Sequence, residues 1–205
     1  MANLVYSCVF FDEDYLALLK LLLKTFSMHD NSDTKYLIVT TSRFKPDIQE
    51  MFDENKIDGD IWCINTIYTQ FAACCARLQI FSYPLIDQYS KILYLDTDIL
   101  ITNPLAPIFD IELEEKLYCY DAGITIAEWG NSKQLFLENN IDMDPNTPVF
   151  STCTMLFKNC SRMKSLFSDT LIHIEERIPG DYDLDGAFEE KMKYNSTRHD
   201  HSDEG

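Results

Sequence analysis

Two carboxylates one residue apart, Asp96 and Asp98 with Thr97 between them, close the apolar run of KILYLDTDILI at 91–101. Acids this close repel, so without a cation one of them tends to take up a proton. A hard divalent ion keeps both ionised and leaves coordination positions for phosphate oxygens. The chemistry on offer is the holding of a metal–phosphate complex, with Arg77 as a local base beside it. A lone Asp-x-Asp also suits two solvated acids at a strand-to-loop transition, and an Arg among apolar residues also suits a snorkelling side chain. Further acids stand in turn-like settings: Asp121 before Ala122-Gly123, and Asp181, Asp183 and Asp185 in GDYDLDGAFEEKM. With Gly123 and Gly186 alongside, these read as catalytic acids or as turn formers and helix caps.

The elements that must position these residues follow from the hydrophobic pattern. Ile92 to Leu95 is a continuous apolar run, the signature of a strand buried on both faces, and ligands sit outside the carboxyl ends of such strands in open α/β sheets. Before it, Leu4 to Phe11, Tyr36 to Thr40 and Ile61 to Asn65 read as strands. YLALLKLLLKTF after an acidic turn reads as a largely buried helix, Pro46 to Asn55 as a second, and Phe71 to Ile86 as a third, helical until Pro84 disturbs it. Beyond the Asp-x-Asp, Lys116 to Tyr120 is expected as a strand ending at Asp121-Ala122-Gly123 and Asn131 to Asn140 as a short helix. Val149 to Phe157 is a strand, and Ser161 caps a long helix through Arg177. Strands alternating with helices predict an α/β fold with a mostly parallel sheet covered on both faces.

At 205 residues the chain suits one domain over 1–205. Thirty-four acids against 17 bases give a net charge of −17, which argues against nucleic acid or an anionic membrane surface as partner. An anionic nucleotide would be repelled too, an independent reason to expect a metal ion. Seven cysteines, with Cys74 and Cys75 adjacent and no C-x-x-C pair, read as reduced core residues. The N-terminus lacks a basic region and Lys20 and Lys24 interrupt the longest apolar segment, so neither signal peptide nor membrane span is expected and the compartment is cytoplasmic.

In order along the chain these segments resemble a retaining GT-A glycosyltransferase of family 8, the group of glycogenin, galactinol synthase and bacterial galactosyltransferases. LVYSCVFFDEDYLALLKLLL is similar to the family's first strand and helix. The resemblance places Asp12 and Tyr15 on the nucleotide base, with Val9 and Phe11 where the backbone holds uracil. CARLQIFSYPLIDQYSKILYLDTDILI resembles the signature in which a basic residue, here Arg77, precedes the Asp96-Thr97-Asp98 strand end. Asp121 matches an acid that contacts the donor sugar. Phe150-Ser151-Thr152 stands where the family often has Phe-Asn-Ser, and YDLDGAF resembles an Asp-Gln motif beside the reacting carbon, best matched by Asp183-Leu184 with Asp185 next to it. The family's third metal ligand is a late histidine, which only His199 and His201 remain to supply beside Asp96 and Asp98.

The resemblance, over roughly Leu4 to Lys191, implies a single GT-A (Rossmann-like) domain. It implies transfer from a nucleotide diphosphate sugar, UDP-linked, to a hydroxyl of a carbohydrate or glycoprotein acceptor, with retention. Mn²⁺ is the favoured cofactor and Mg²⁺ the alternative. Ser151, Cys153 and Leu184 depart from the family pattern, and the closing His-x-x-Gly-x-x-Lys-Pro-Trp signature is absent, as in a minimal bacterial or large-virus member or a domain cut from a larger protein. Two other readings stand beside it. LYLDTDIL with Gly180 to Asp185 also resembles a haloacid-dehalogenase-type phosphatase, whose first Asp is a nucleophile, although about ninety residues precede a motif that belongs near the N-terminus. A degenerate domain that binds nucleotide-sugar or glycan without turning it over is the other.

Overall fold

The computed structural model describes residues 2–29, 34–67, 69–129 and 144–177. Outside them lie the helix expected over Asn131 to Asn140, the acids Asp181, Asp183 and Asp185 with the helix expected after them, and the tail with His199 and His201. The described residues form a six-stranded sheet in the order β3-β2-β1-β4-β6-β5. Its strands are β1 (Ala2–Cys8), β2 (Thr34–Thr40), β3 (Gly59–Cys63), β4 (Tyr89–Leu95), β5 (Tyr118–Thr125) and β6 (Pro148–Lys158). The first four run parallel, and β6 is antiparallel to both β4 and β5. The expected α/β architecture with a mostly parallel sheet is what the chain adopts.

Side-chain alternation divides the core into two layers. Val5, Leu93 and Leu95 enter one cluster, with Leu19, Leu22 and Phe52 from α1 (Glu13–Ser27) and α2 (Lys45–Asn55). Leu4, Ile92 and Tyr94 enter the other, with Ile80, Met163 and Phe167 from the opposite face. Because both faces of β4 are covered, Ile92 to Leu95 could only be a continuous apolar run. The chain goes β1, β2, β3 in one direction and returns to place β4 on the other side of β1. The loops after β1 and β4 therefore flank the point where strand order reverses, the place where open α/β sheets take ligands.

Several elements differ from the sequence expectation. α1 is amphipathic rather than largely buried: Leu16, Leu19, Leu22, Leu23 and Phe26 are inside, while Leu21 lies 53% exposed, because one face of a single helix meets the sheet. The third helix, α3, spans only Gln70–Cys75 and tightens into a 3₁₀ segment, Ala76–Ser82; Tyr83, before Pro84, is already extended. α4 is the short Ala106–Asp110. β5 does not end at Asp121 but runs on to Thr125 through an irregularity at which Gly123 takes φ +70°, a conformation open to glycine. α5 (Ser161–Arg177) opens at Ser161 itself, one residue before a Ser161 cap would have it. All seven cysteines are free, but Cys74 is exposed and the other six only partly buried; they border the core rather than fill it. Among the described residues no helix is long and apolar enough to cross a membrane.

Candidate nucleotide-binding site

On the β1 side of the switch point, Val9 is buried and its backbone is tied to β2. Its amide donates to the Val39 carbonyl at 3.0 Å and its carbonyl accepts from Thr40 Oγ1 at 2.8 Å. Phe11 follows with φ +64°, a left-handed conformation uncommon for a bulky residue, and the residue is 42% exposed. The Asp12 carboxylate caps α1 by accepting from the Asp14 amide at 2.9 Å, and this sets the helix so that Tyr15, in its first turn, is exposed. Two exposed aromatics thus stand beside the end of β1, one of them on strained backbone of the kind that gathers at binding sites.

At the end of β4 the two acids part. Alternation puts Asp96 on the face of Ile92 and Tyr94. There its Oδ1 accepts from the Tyr94 hydroxyl and pairs with Arg77 Nη1 at 3.3 Å, while its amide donates to the Cys153 carbonyl of β6 at 2.8 Å. Thr97 turns inward and is buried, and Asp98 is exposed. Arg77, from the 3₁₀ segment, is held on four sides. Its Nε donates to the Cys74 carbonyl at 2.9 Å, its Nη1 to the Thr152 carbonyl and Oγ1 at 3.1 and 3.2 Å, and its guanidinium lies 4.8 Å over the Tyr94 ring. Arg77 therefore joins three elements around one carboxylate, which the sequence expectation of a phosphate-facing base did not include. Tyr94 is the member of this group that sequence reasoning missed; its signal was its place two residues before Asp96 on the same strand face.

Charge states follow from burial. The Tyr94 phenol is pushed well above its ordinary value by burial, with Cys8 and Asp96 nearby adding to the rise, so it keeps its proton and donates. Burial would lower the Arg77 pKa, but Tyr94, Asp96 and the neighbouring thiols raise it overall, and the guanidinium stays charged. Burial pushes the Cys8 thiol up to about 12, so it contributes no charge at neutral pH.

Beyond the end of β4, where Leu95 pairs with Thr154, β6 continues and pairs with β5 alone. This two-stranded ribbon projects past the sheet edge and carries Asp121, opposite Phe150, and Ser151, opposite Tyr120. Asp121 is exposed, and its Oδ1 accepts from the Gly123 amide at 2.8 Å. Ser151 Oγ accepts from the Cys153 amide at 3.3 Å. The structure thus gathers Val9, Phe11, Asp12 and Tyr15 at one end of an edge, Arg77, Asp96, Thr97, Asp98 and Thr152 at its middle, and Asp121 and Ser151 on the ribbon. The expected Asp183, Asp185, His199 and His201 lie outside the described residues.

A divalent cation fits the middle of this edge by donor chemistry, since the carboxylates of Asp96 and Asp98 are hard oxygen donors. Among the described residues no group of three or more His, Cys, Asp or Glu side chains could hold one.

The profile of the family described as glycosyl transferase family 8 matches residues 12–185. No curated protein sequence matches significantly. Among solved structures, the chain is similar to apo-form glycosyltransferase GlyE of Streptococcus pneumoniae TIGR4, at 19% identity and a TM-score of 0.55 over 86% of this chain and 39% of that one. It is similar to galactosyltransferase LgtC in complex with donor and acceptor sugar analogs, at 16% identity and a TM-score of 0.59 over 89% and 66%. It is also similar to mouse xyloside xylosyltransferase 1, at 10% identity and a TM-score of 0.55 over 85% and 71%. The shared fold is GT-A, and the chain spans less than two thirds of GlyE and of LgtC.

Proposed function

The chain belongs to glycosyl transferase family 8, and on that premise we propose that it moves a sugar from a nucleotide diphosphate donor to a hydroxyl acceptor. The donor is a UDP-sugar, the acceptor a carbohydrate or glycoprotein, and the outcome retention. The observation that carries this reading is the placement of Asp96 and Asp98 outside the carboxyl end of β4, at the point where strand order reverses.

In this reading Asp12 and Tyr15 contact the base, the backbone at Val9 and Phe11 holds uracil, and Asp96 and Asp98 hold a divalent ion, Mn²⁺ before Mg²⁺, completed by His199 or His201. When bound, the ion neutralises charge on the diphosphate. Arg77 adds fixed positive charge beside Asp96, offsetting repulsion between an anionic ligand and a strongly acidic chain. Asp121 and Ser151 lie where the ribbon overhangs the edge and orient the donor sugar. Asp183 or Asp185 stabilises the positive charge that develops at the anomeric carbon. No enzyme nucleophile is needed.

The test is a thermal-shift panel of nucleotide sugars with and without Mn²⁺, followed by a hydrolysis assay. Metal-dependent stabilisation by a UDP-sugar with turnover is the expected result. Stabilisation without turnover would make the chain the binding module that Ser151, Cys153 and Leu184 suggest, and phosphomonoester cleavage without nucleotide-sugar binding would refute the proposal. The phosphatase reading rested on LYLDTDIL and on Gly180 to Asp185, both of which the family match takes in.

A further inference from the structure

The Asp96 carboxylate is held unevenly. Oδ1 takes both the Tyr94 hydroxyl and Arg77 Nη1, and neither bond reaches Oδ2. We propose, resting on the nucleotide-sugar reading above, that Tyr94 is a positioning residue: its hydroxyl, with Arg77 on the same oxygen, fixes Asp96 so that Oδ2 alone is presented to the cation and nucleotide.

Each part of the arrangement restricts the next. Tyr94 is 1% exposed, and its ring is wedged between the Tyr6 ring, 4.9 Å away between centroids, and the Arg77 guanidinium. The Cα positions of Tyr6 and Tyr94 are paired across β1 and β4, so that side of the wedge is built into the strand register. The hydroxyl has one direction left to it, along the strand face towards residue 96. Arg77 is fixed independently by the Cys74 and Thr152 carbonyls, and its own carbonyl accepts from the Tyr6 hydroxyl at 2.8 Å. A carboxylate whose one oxygen is held by a hydroxyl donor and by an ion pair from a separate element is restrained from turning to chelate through both oxygens. It acts as a one-oxygen ligand whose aim is set before the ion arrives. Outer partners of this kind typically govern metal affinity about ten- to hundredfold.

The molecule supplies a matched control. Tyr83, also buried, donates its hydroxyl to the Asp60 carboxylate, but Asp60 lies near the start of β3, three strands from β4 and on the opposite edge. Removing that hydroxyl loses a comparable tyrosine–carboxylate bond without touching Asp96.

The experiment titrates Mn²⁺ in the presence of UDP, reading free Mn²⁺ by electron paramagnetic resonance, for the full chain and for Tyr94→Phe and Tyr83→Phe. Unfolding midpoints and metal-free UDP affinity are measured in parallel. Tyr94→Phe is expected to weaken Mn²⁺–UDP binding by about ten- to hundredfold, to leave metal-free UDP binding unchanged, and to shift the unfolding midpoint no more than Tyr83→Phe does. An affinity within about twofold of the unsubstituted chain, well short of that range, or an equal loss in Tyr83→Phe, would overturn the inference while leaving the proposed function standing. An unsubstituted chain with no Mn²⁺-dependent UDP binding would instead refute the proposed function. If Tyr94→Phe does not fold, Arg77→Met takes its place: it removes the second contact to Oδ1, Mn²⁺–UDP affinity is expected to fall by more than metal-free UDP affinity does, and unchanged Mn²⁺–UDP affinity would refute the shared clamp.

Discussion

Replacing Arg77 by Met isolates what the guanidinium contributes to the fold, because Met keeps an unbranched apolar stem over the Tyr94 ring. The bonds removed are those to the Cys74 carbonyl, the Thr152 carbonyl and hydroxyl, and Asp96. Valuing each as a full charge-assisted bond would overshoot, since Cys74 and Thr152 are exposed and rehydrate once freed. Asp96 is left behind with its side chain 29% exposed. Fully buried pairs cost about 3–5 kcal/mol when one partner is removed and exposed ones at most about 1 kcal/mol, so a partly hydrated Asp96 gives about 2–3 kcal/mol. With a urea m-value of about 2 kcal/mol/M, the midpoint should fall by roughly 1–1.5 M, followed by the fluorescence of Trp62 and Trp129. Asp96→Asn should be strongly non-additive with it, with a coupling of about 1 kcal/mol or more. A midpoint within about 0.2 M of the unsubstituted chain, or full additivity, would show that the ion pair does not hold the β4 end.

Asp98→Ala should abolish Mn²⁺-dependent UDP binding yet change stability by no more than about 0.5 kcal/mol, since the side chain is exposed; retained affinity would remove Asp98 from the site. Asp121→Ala should reduce transfer about a hundredfold or more with UDP affinity unchanged, and a loss of UDP binding would return this acid to its turn with Gly123. In Gly59→Ala the added Cβ would lie 2.5 Å from the ring of Phe52, itself 2% exposed, so calorimetry should show a loss of about 1–3 kcal/mol; an unchanged midpoint would mean the ring moves freely. Burial raises Cys8 to about 12 and Cys75 and Cys119 to about 11 from an ordinary 9.0. Above pH 9 the unfolded chain then releases protons that the folded chain retains, so stability present at neutral pH should decline as pH rises from about 9 towards 12. Unfolding midpoints that stay level over that interval would show that these thiols ionise as readily in the folded state.

The sequence by itself determined what local patterns can carry. Ile92 to Leu95 had to be a two-face strand because an uninterrupted apolar run has no solvent side, and two acids at its end had to sit at an edge because neither can be buried unpaired. Helix and strand types before residue 67 were legible for the same reason, along with Pro46 in a first turn. Boundaries and mates were not. Strand order and the antiparallel entry of β6 depend on backbone hydrogen bonds that leave no side-chain mark, so nothing in VFSTCTMLF said which neighbour it would take. The early tightening of the third helix and the run of β5 past Asp121 were likewise decided by packing and pairing partners far along the chain. Arg77 shows the difference most directly. Its charge and its place before the Asp-x-Asp could be read, but its partners Asp96 and Thr152 lie on β4's end and on β6, and it meets Thr152 across 75 positions of sequence. Tyr94 read as one more apolar core residue because its ring is one. Only the register of β1 against β4, which sets Tyr6 beside it, and the arrival of Arg77 over its face turn its hydroxyl onto the Asp96 carboxylate, since a buried phenol must find its acceptor inside the protein.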